Sequence, residues 1–301
     1  MTAADEKRLP LVIVKLNGGL GNQFFQYALG RAISIRNNVT LKLDISGFET
    51  YKLRQYSLRH FNIVENVASA DDIARFRQTG TKRLVNFVSG LGVLPDSFRF
   101  TTIVESGFSF CPQVLQARGN LYLDGYWQSE KYFKEIEDVI RREFTVKYRA
   151  DPVNEQVGQR IRNTDSVCLH IRRGDYASNP EINKIYGLCS LDYYHTAVRE
   201  LTGALATPHF FVFSDDLRWA QENLKINSPV TFVGHNGGSK DYEDLRLMSL
   251  CKHYVIANSS FSWWGAWLGS HPAKMVFAPG VWFQTQQHNT RDLIPDSWRV
   301  I

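Results

Sequence analysis

The chain has 301 residues, 44% of them hydrophobic, with a formal net charge of +5 and a pI near 8.9. That length and apolar content suit a compact globular protein of about two ordinary domains. The charge is modest and no Lys/Arg run is interleaved with aromatics as a nucleic-acid footprint would be, so the excess fits a small anionic ligand better than a polymer.

The opening segment Met1 to Pro10 is charged and lacks the apolar core of a signal peptide, and no later stretch approaches about 18 consecutive apolar residues. A soluble, cytoplasmic chain is the expectation. Leu11 to Leu16 reads as a strand, and Asn22 to Arg36 repeats apolar residues at helical spacing through Phe24, Ala28 and Ala32 and through Phe25, Leu29 and Ile33. Val39 to Leu43 alternates as a second strand ending at Asp44. The span Ser46 to Gly119 has no dominant period, while Leu121 to Leu123 reads as a strand and Glu130 to Glu143 as a charged helix. Polar residues and Pro152 between Tyr148 and Arg160 place a boundary at residues 155/156.

Beyond it the alternation sharpens. Strands are expected at Ser166 to Ile171, His209 to Phe213, Val230 to Val233, His253 to Ala257 and Lys274 to Phe277. Helices fall between them, at Leu191 to Leu205, Leu217 to Leu224, Tyr242 to Leu250 and Ser260 to Leu268. Such spacing argues for parallel sheets with right-handed crossovers. Two of them facing each other would put their strand carboxyl ends on a shared cleft, where open α/β sheets bind ligands. Cys111, Cys168, Cys189 and Cys251 are far apart and show no metal-ligand spacing, which indicates buried, reduced thiols. The sequons Asn38-Val39-Thr40 and Asn258-Ser259-Ser260 are short matches that carry no weight without secretion.

Four motifs fall on strand-to-helix turns. His170-Ile171-Arg172-Arg173-Gly174-Asp175-Tyr176 follows an apolar run, and two adjacent guanidinium groups at a strand's carboxyl end suit a diphosphate, whose oxygens match the arginine fork. The plainer alternative is a structural ion pair in which Asp175 neutralises one of them. In Gly18-Gly19-Leu20-Gly21-Asn22-Gln23 the glycines permit positive φ and close backbone approach, and Asn22, Gln23 and Gln26 lie within one helical turn. Counting from Gly19, Phe24 occupies the sixth position where a dinucleotide fingerprint needs glycine, and no P-loop lysine follows.

Ser214-Asp215-Asp216 reads either as an acidic helix start or as acceptors for guanine or ribose. In Asn258-Ser259-Ser260-Phe261-Ser262-Trp263-Trp264, Asn258 and Ser259 can cap a helix while Ser260 and Ser262 offer hydroxyls to a phosphate. Trp263, Trp264 and Trp267 read as packing. No spaced Asp-x-Asp pair suggests a metal, and the arginines supply the positive charge that a divalent ion would bring. An NAD(P) oxidoreductase shares the α/β alternation but not the third glycine. A non-catalytic sugar-binding module would use the tryptophans but has no need of paired arginines.

With Gly125-Tyr126-Trp127-Gln128 and Lys131-Tyr132-Phe133 added, these motifs in this order resemble the inverting GDP-L-fucose-dependent α-1,2-fucosyltransferases of glycosyltransferase family 11. The resemblance implies a GT-B fold of two Rossmann-like domains, residues 1–155 mainly on the acceptor side and 156–301 binding the nucleotide sugar. It implies transfer of L-fucose to the 2-hydroxyl of a terminal β-galactose with no metal or other cofactor. Arg172 is implied as the principal diphosphate ligand, assisted by Arg173, with His170 and Asp175 shaping the same mouth and Asn22 reaching the reacting sugar. Gly19, Gly21, Gln23, Ser214, Asp215, Asp216, Asn258, Ser259, Ser260, Phe261 and Ser262 are assigned to the donor. Gln26, Tyr126, Trp127 and Tyr176 are assigned to the acceptor. For the general base, Asp175, His170, Asp124 and Glu130 all stay open, as does a peripheral association with membranes.

Overall fold

In a computed structural model of the chain, residues 10–50, 53–79, 81–85, 100–285 and 289–301 are described, so most of the charged opening segment lies outside them. The chain divides into two compact units. Unit 1 comprises Met1–Thr145 with Asn289–Leu293, and unit 2 comprises Val146–His288 with Ile294–Ile301. The division falls ahead of residues 155/156 because the polar stretch there is a helix, Pro152–Arg162. Asp151 caps it by accepting the Asn154 N–H at 2.9 Å, and Pro152 at the first helical position needs no donor.

Unit 1 holds a wholly parallel sheet of β1 (Leu11–Lys15), β2 (Thr40–Asp44), β3 (Thr81–Val85), β4 (Phe100–Glu105) and β5 (Asn120–Asp124), in the order β2-β1-β5-β4-β3. Val12, Ile13 and Val14 are all fully buried, because a parallel strand is covered on both faces and so reads as an unbroken apolar run. The helix Leu20–Asn37 crosses to β2 and sits close on the sheet at Gly30, where a Cβ would come within 2.9 Å of Leu41 and 3.2 Å of Val14. It ends where Asn38 adopts the left-handed conformation at φ 53°. Phe24 anchors its buried side, stacked 3.9 Å from Phe144 and edge-on to Phe61 at 4.8 Å.

The charged stretch from Glu130 is not one helix. Tight turns at Glu130–Tyr132 and Lys134–Ile136 precede the helix Glu137–Glu143. Tyr132 and Phe133 are neighbours that both bury their rings, which a regular helix would point about 100° apart; Phe133 leaves helical geometry at φ −136° to do so. β4 lay in the unassigned span because its run Thr101, Thr102, Ile103 and Val104 is β-branched without a clean apolar alternation, and its two buried positions, Thr102 and Ile103, are adjacent.

Unit 2 holds a second parallel sheet of β6 (Asp165–Ile171), β7 (Pro208–Ser214), β8 (Val230–Val233), β9 (His253–Val255), β10 (Val276–Ala278) and β11 (Arg299–Val300), ordered β11-β10-β9-β6-β7-β8. The helices Leu191–Ala204, Leu217–Asn223, Asp241–Ser249 and Ser260–Leu268 lie where the sequence places them. Trp263, Trp264 and Trp267 form one buried aromatic cluster, extended by Trp298 at 5.2 Å from Trp263, and so act as packing.

Both sheets reverse direction at a defined place. In unit 1 the chain leaves β1 for β2 and returns to β1's other side with β5; in unit 2 it leaves β6 for β7 and β8 and returns beside β6 with β9. The carboxyl ends of the strand pairs β1/β5 and β6/β9 are therefore the switch points, where loops diverge and leave room for a ligand. Replacing Phe24 with alanine should cost about 3–5 kcal/mol in a urea unfolding curve of the transition carrying unit 1, the range for emptying a buried phenylalanine site.

Candidate active site

Each switch point carries two of the motif turns. After β6, the Arg172 guanidinium is gripped by Asp175 and by Asp215, the latter at 2.7 Å, and lies 5.1 Å over the Tyr176 ring. Tyr176 in turn stacks on Tyr186 at 4.7 Å. Arg173 donates its backbone N–H to Asp215 at 2.8 Å, its side chain meets Asp216 at 3.3 Å, and its guanidinium lies 3.9 Å from the Trp219 ring centroid. Gly174 is small for a reason: a Cβ there would collide with the Asp215 carboxylate. The plain ion-pair alternative is thus part of the picture, and it orients both forks while leaving their side chains 21% and 20% exposed. Five N–H donors on each guanidinium exceed what these carboxylates take up.

His170 is sealed beneath this mouth, its ring 5.8 Å from Phe261, and Nδ1 meets no partner among the described residues. Burial pushes its pKa down to about 4, with Asp215 opposing and Arg172 assisting, so the imidazole is neutral at pH 7. Asp216 also caps the helix Leu217–Asn223 by accepting the Trp219 N–H at 3.1 Å, and Ser214 accepts the Asp216 N–H at 3.0 Å. The acidic helix start and the arginine partner are one and the same group.

After β9, Asn258 does not face outward as expected. It is buried, donating to the carbonyls of Tyr186 at 2.8 Å and Trp282 at 3.3 Å, with its oxygen on Cys189 Sγ. Ser262 is likewise turned inward onto the Ser259 carbonyl at 3.2 Å, and Ser259 occupies the cap position without a side-chain cap bond. Ser260 and Phe261 are the partly exposed residues of this turn. Of the two serines expected to meet a phosphate, Ser262 is buried and Ser260 is partly exposed.

In unit 1, Gly18 takes φ +73°, and Gly19 presents its carbonyl to the Asn22 and Gln23 N–H groups at 3.0 and 3.1 Å. Gly21 is buried in the first helical turn. Gln23, expected at the donor, is instead a buried clamp: its amide donates to the carbonyls of Gly18 and Gln55 at 3.0 and 2.8 Å and accepts the Ser57 N–H at 2.9 Å. Gln26, expected at the acceptor, is also fully buried and joins the two turns, bonded to Asn17 and donating to the Gly125 carbonyl at 3.1 Å. Asn22 accepts from Gln128 at 2.9 Å, tying the β1 turn to the β5 turn a second time. Trp127, also assigned to the acceptor, is fully buried with its ring edge-on to Tyr132 and its backbone left-handed at φ 58°. Tyr126 is the aromatic that stays outside, 37% exposed and parallel to Phe108.

Two further features come from the unassigned span. Glu105, at the end of β4, accepts the Tyr126 N–H at 2.6 Å and the Trp127 N–H at 3.0 Å. Burial pushes its pKa up to about 7 against the pull of those two amides. A lone glutamate after a strand carries no sequence signal; the β-branched run before it was the available clue. Beside the glycine turn, a cavity of about 460 Å³ is lined by Phe48, Tyr56, Arg54, Arg59 and Glu49, with Arg54 3.7 Å from where a Gly19 Cβ would stand. Among the described residues, no group of three or more His, Cys, Asp or Glu side chains could hold a metal ion, and no helix is long and apolar enough to cross a membrane. Gln23→Leu should destabilise unit 1 by about 1–3 kcal/mol by stranding buried backbone partners. A urea unfolding curve of the transition carrying unit 1 checks it; an unchanged midpoint would leave Gln23 without the clamp role.

Comparison with known proteins gives the family and the fold. The family model for Glycosyl transferase family 11 matches residues 108–300. Alpha-1,2-colitosyltransferase of Escherichia coli is 36% identical over 304 residues, covering 96% of this chain and 98% of that one. Human galactoside alpha-(1,2)-fucosyltransferase 1 is 28% identical over 156 residues, 49% of this chain and 43% of that one. In fold, the crystal structure of Bradyrhizobium NodZ alpha-1,6-fucosyltransferase soaked with GDP-fucose aligns at TM-score 0.52 and 16% identity, over 90% of this chain and 95% of that one. Two parallel α/β units of this kind are the GT-B plan. Since the family model spans all three unit 2 motif turns and a relative aligns nearly end to end, the chain belongs to glycosyl transferase family 11.

Proposed function

We propose that this glycosyltransferase moves L-fucose, with inversion, from GDP-β-L-fucose to the 2-hydroxyl of a terminal β-galactose, without a metal ion. The observation that carries the reading is the pair Arg172 and Arg173 at the β6/β9 switch point, pre-aimed by Asp175, Asp215 and Asp216. Breaking the bond between sugar and phosphate leaves negative charge on the β-phosphate and oxocarbenium character at the anomeric carbon. Guanidinium donors that tighten as that charge develops lower the barrier, whereas equal binding of donor and transition state would not. Unit 2 binds the nucleotide, with Ser260 and Phe261 at the helix start and the exposed edge of Tyr176 nearby. Unit 1 supplies most acceptor contacts, with Asn22, Tyr126 and the Arg54 cavity as the outward-facing candidates. A cytoplasmic enzyme, with no cofactor beyond its GDP-sugar co-substrate, follows from this reading.

A second donor is favoured by one observation, the high similarity to a colitosyltransferase. Colitose is L-fucose lacking the 3-hydroxyl. A site that hydrogen-bonds that hydroxyl discriminates strongly against the deoxy sugar, while an apolar site tolerates both, so the ratio of kcat/KM for the two donors reports the pocket's chemistry.

The test is to incubate the protein with GDP-fucose or GDP-colitose, a panel of β-galactosides and EDTA, and to determine the linkage of the product by NMR. Transfer to the galactose 2-hydroxyl with GDP-fucose in EDTA is expected; success only with GDP-colitose or another GDP-sugar overturns the donor, and dependence on added Mn²⁺ overturns metal independence. Arg172→Ala should lower kcat by on the order of 10²-fold or more at saturating donor. Near-normal turnover in a saturation experiment would remove Arg172 from the mechanism.

A further inference from the structure

We propose that Glu105 is the general base of the transfer: its carboxylate accepts the proton of the attacking acceptor hydroxyl. This rests on the functional reading above. The carboxylates considered for the task, and the two aspartates beside the arginines, are already paired. Asp124 is bound to Lys15 at 3.0 Å, Glu130 lies 3.5 Å from Lys134, and Asp175, Asp215 and Asp216 hold the two arginines. His170 is sealed from solvent. Glu105 forms no ion pair among the described residues; its partners are the Tyr126 and Trp127 N–H groups alone.

The site is built around that carboxylate. Gly125 leaves room for it, since a Cβ there would collide with the Glu105 Cβ and come within 2.9 Å of its Oε2. Trp127 takes a left-handed backbone, uncommon for a bulky residue, and that turn delivers two successive N–H groups to one carboxylate. The same turn is tied to the glycine turn through Gly125 to Gln26 and Gln128 to Asn22, so Glu105 belongs to the β1/β5 switch point, one strand removed. The residue as a whole keeps partial exposure, and beside it Tyr126 is 37% exposed.

Among the described residues, burial and those two amides set its charge. Tyr132 lies near, and burial raises its pKa above the ordinary value, so it does not ionise in the neutral range. Asp292 is neutralised by Lys131 at 2.6 Å, and on β5 Asp124 is neutralised by Lys15. The resulting basicity, with a pKa pushed up to about 7, matches a proton acceptor working near neutral pH. In the step itself, the bond between the anomeric carbon and the β-phosphate oxygen breaks and its electron pair leaves with GDP. The acceptor oxygen forms the new glycosidic bond, its proton passes to Glu105, and the carboxylic acid then releases that proton to water.

The experiment compares the full-length wild type with Glu105→Gln and Glu105→Asp, measuring acceptor kcat/KM between pH 5 and 9 and GDP affinity by calorimetry, as orders of magnitude. Glu105→Gln should lose about 10²-fold or more in turnover, keep GDP affinity within about twofold, and lose the acidic limb near pH 7 that the wild type shows. Glu105→Asp should retain more turnover than the amide. Unchanged turnover in Glu105→Gln, or a residual activity that keeps the wild-type acidic limb, overturns the proposal. If the amide variant does not fold, the aspartate decides: full wild-type turnover with the carboxylate drawn back by a methylene overturns the assignment. Wild-type inactivity with every GDP-sugar overturns the functional reading and this proposal with it, whereas an active wild type beside an unimpaired Glu105→Gln overturns this proposal alone.

Discussion

A parallel sheet covered on both faces has one place for polar chemistry, the crest formed by its strand carboxyl ends. In both units that constraint sorts the residues. The strands β1 and β6 are buried along nearly their whole length, and polar side chains crowd the turns that follow them. The strand order then selects which turns matter, because loops diverge only where the chain changes direction across the sheet. All four motif turns leave β1, β6, β7 or β9, and the turn that resembles the family after β5 completes the first crest.

Much of the polarity on these crests holds the crest itself in shape. Gln23, Gln26, Asn258 and Ser262 have their polar atoms taken by neighbouring groups, chiefly backbone, so each replaces a buried, unmade hydrogen bond with a made one. That leaves a smaller outward-facing set: Arg172, Arg173, Ser260, Phe261, Tyr126, Asn22 and Glu105. The division has an energetic logic. A group that must meet a ligand within a few tenths of an ångström has to be held by others that never touch it.

The strand and helix periods were legible wherever burial is one-sided or complete, and the helix Ser260–Leu268 and strand Val230–Val233 match residue for residue. Turn locations were legible too, because glycine and paired arginine are hard to place elsewhere. The direction in which a turn's side chains point was not. Asn258 and Ser260 are two residues apart with similar chemistry, yet one is buried and the other partly exposed; only the packing of Tyr186 and Trp282 against the first decides it. Trp127 shows the same limit, since a tryptophan in a motif looks like a sugar platform until its ring is seen turned into the core. Glu105 was silent because its meaning comes from Gly125 and Trp127, about twenty residues away and in the turn after another strand.

The short return of Asn289–Leu293 to unit 1 has a consequence for how the protein is made. Asp292 accepts from Lys131 at 2.6 Å and from the Phe110 N–H at 3.0 Å, partners 161 and 182 positions upstream. On a ribosome, those contacts stay open until the whole intervening body has emerged, so unit 1 waits on this later segment to close. Nascent unit 1 spends that interval with Lys131 lacking its counter-ion, a stretch of synthesis in which chaperone capture and premature proteolysis act on it most readily.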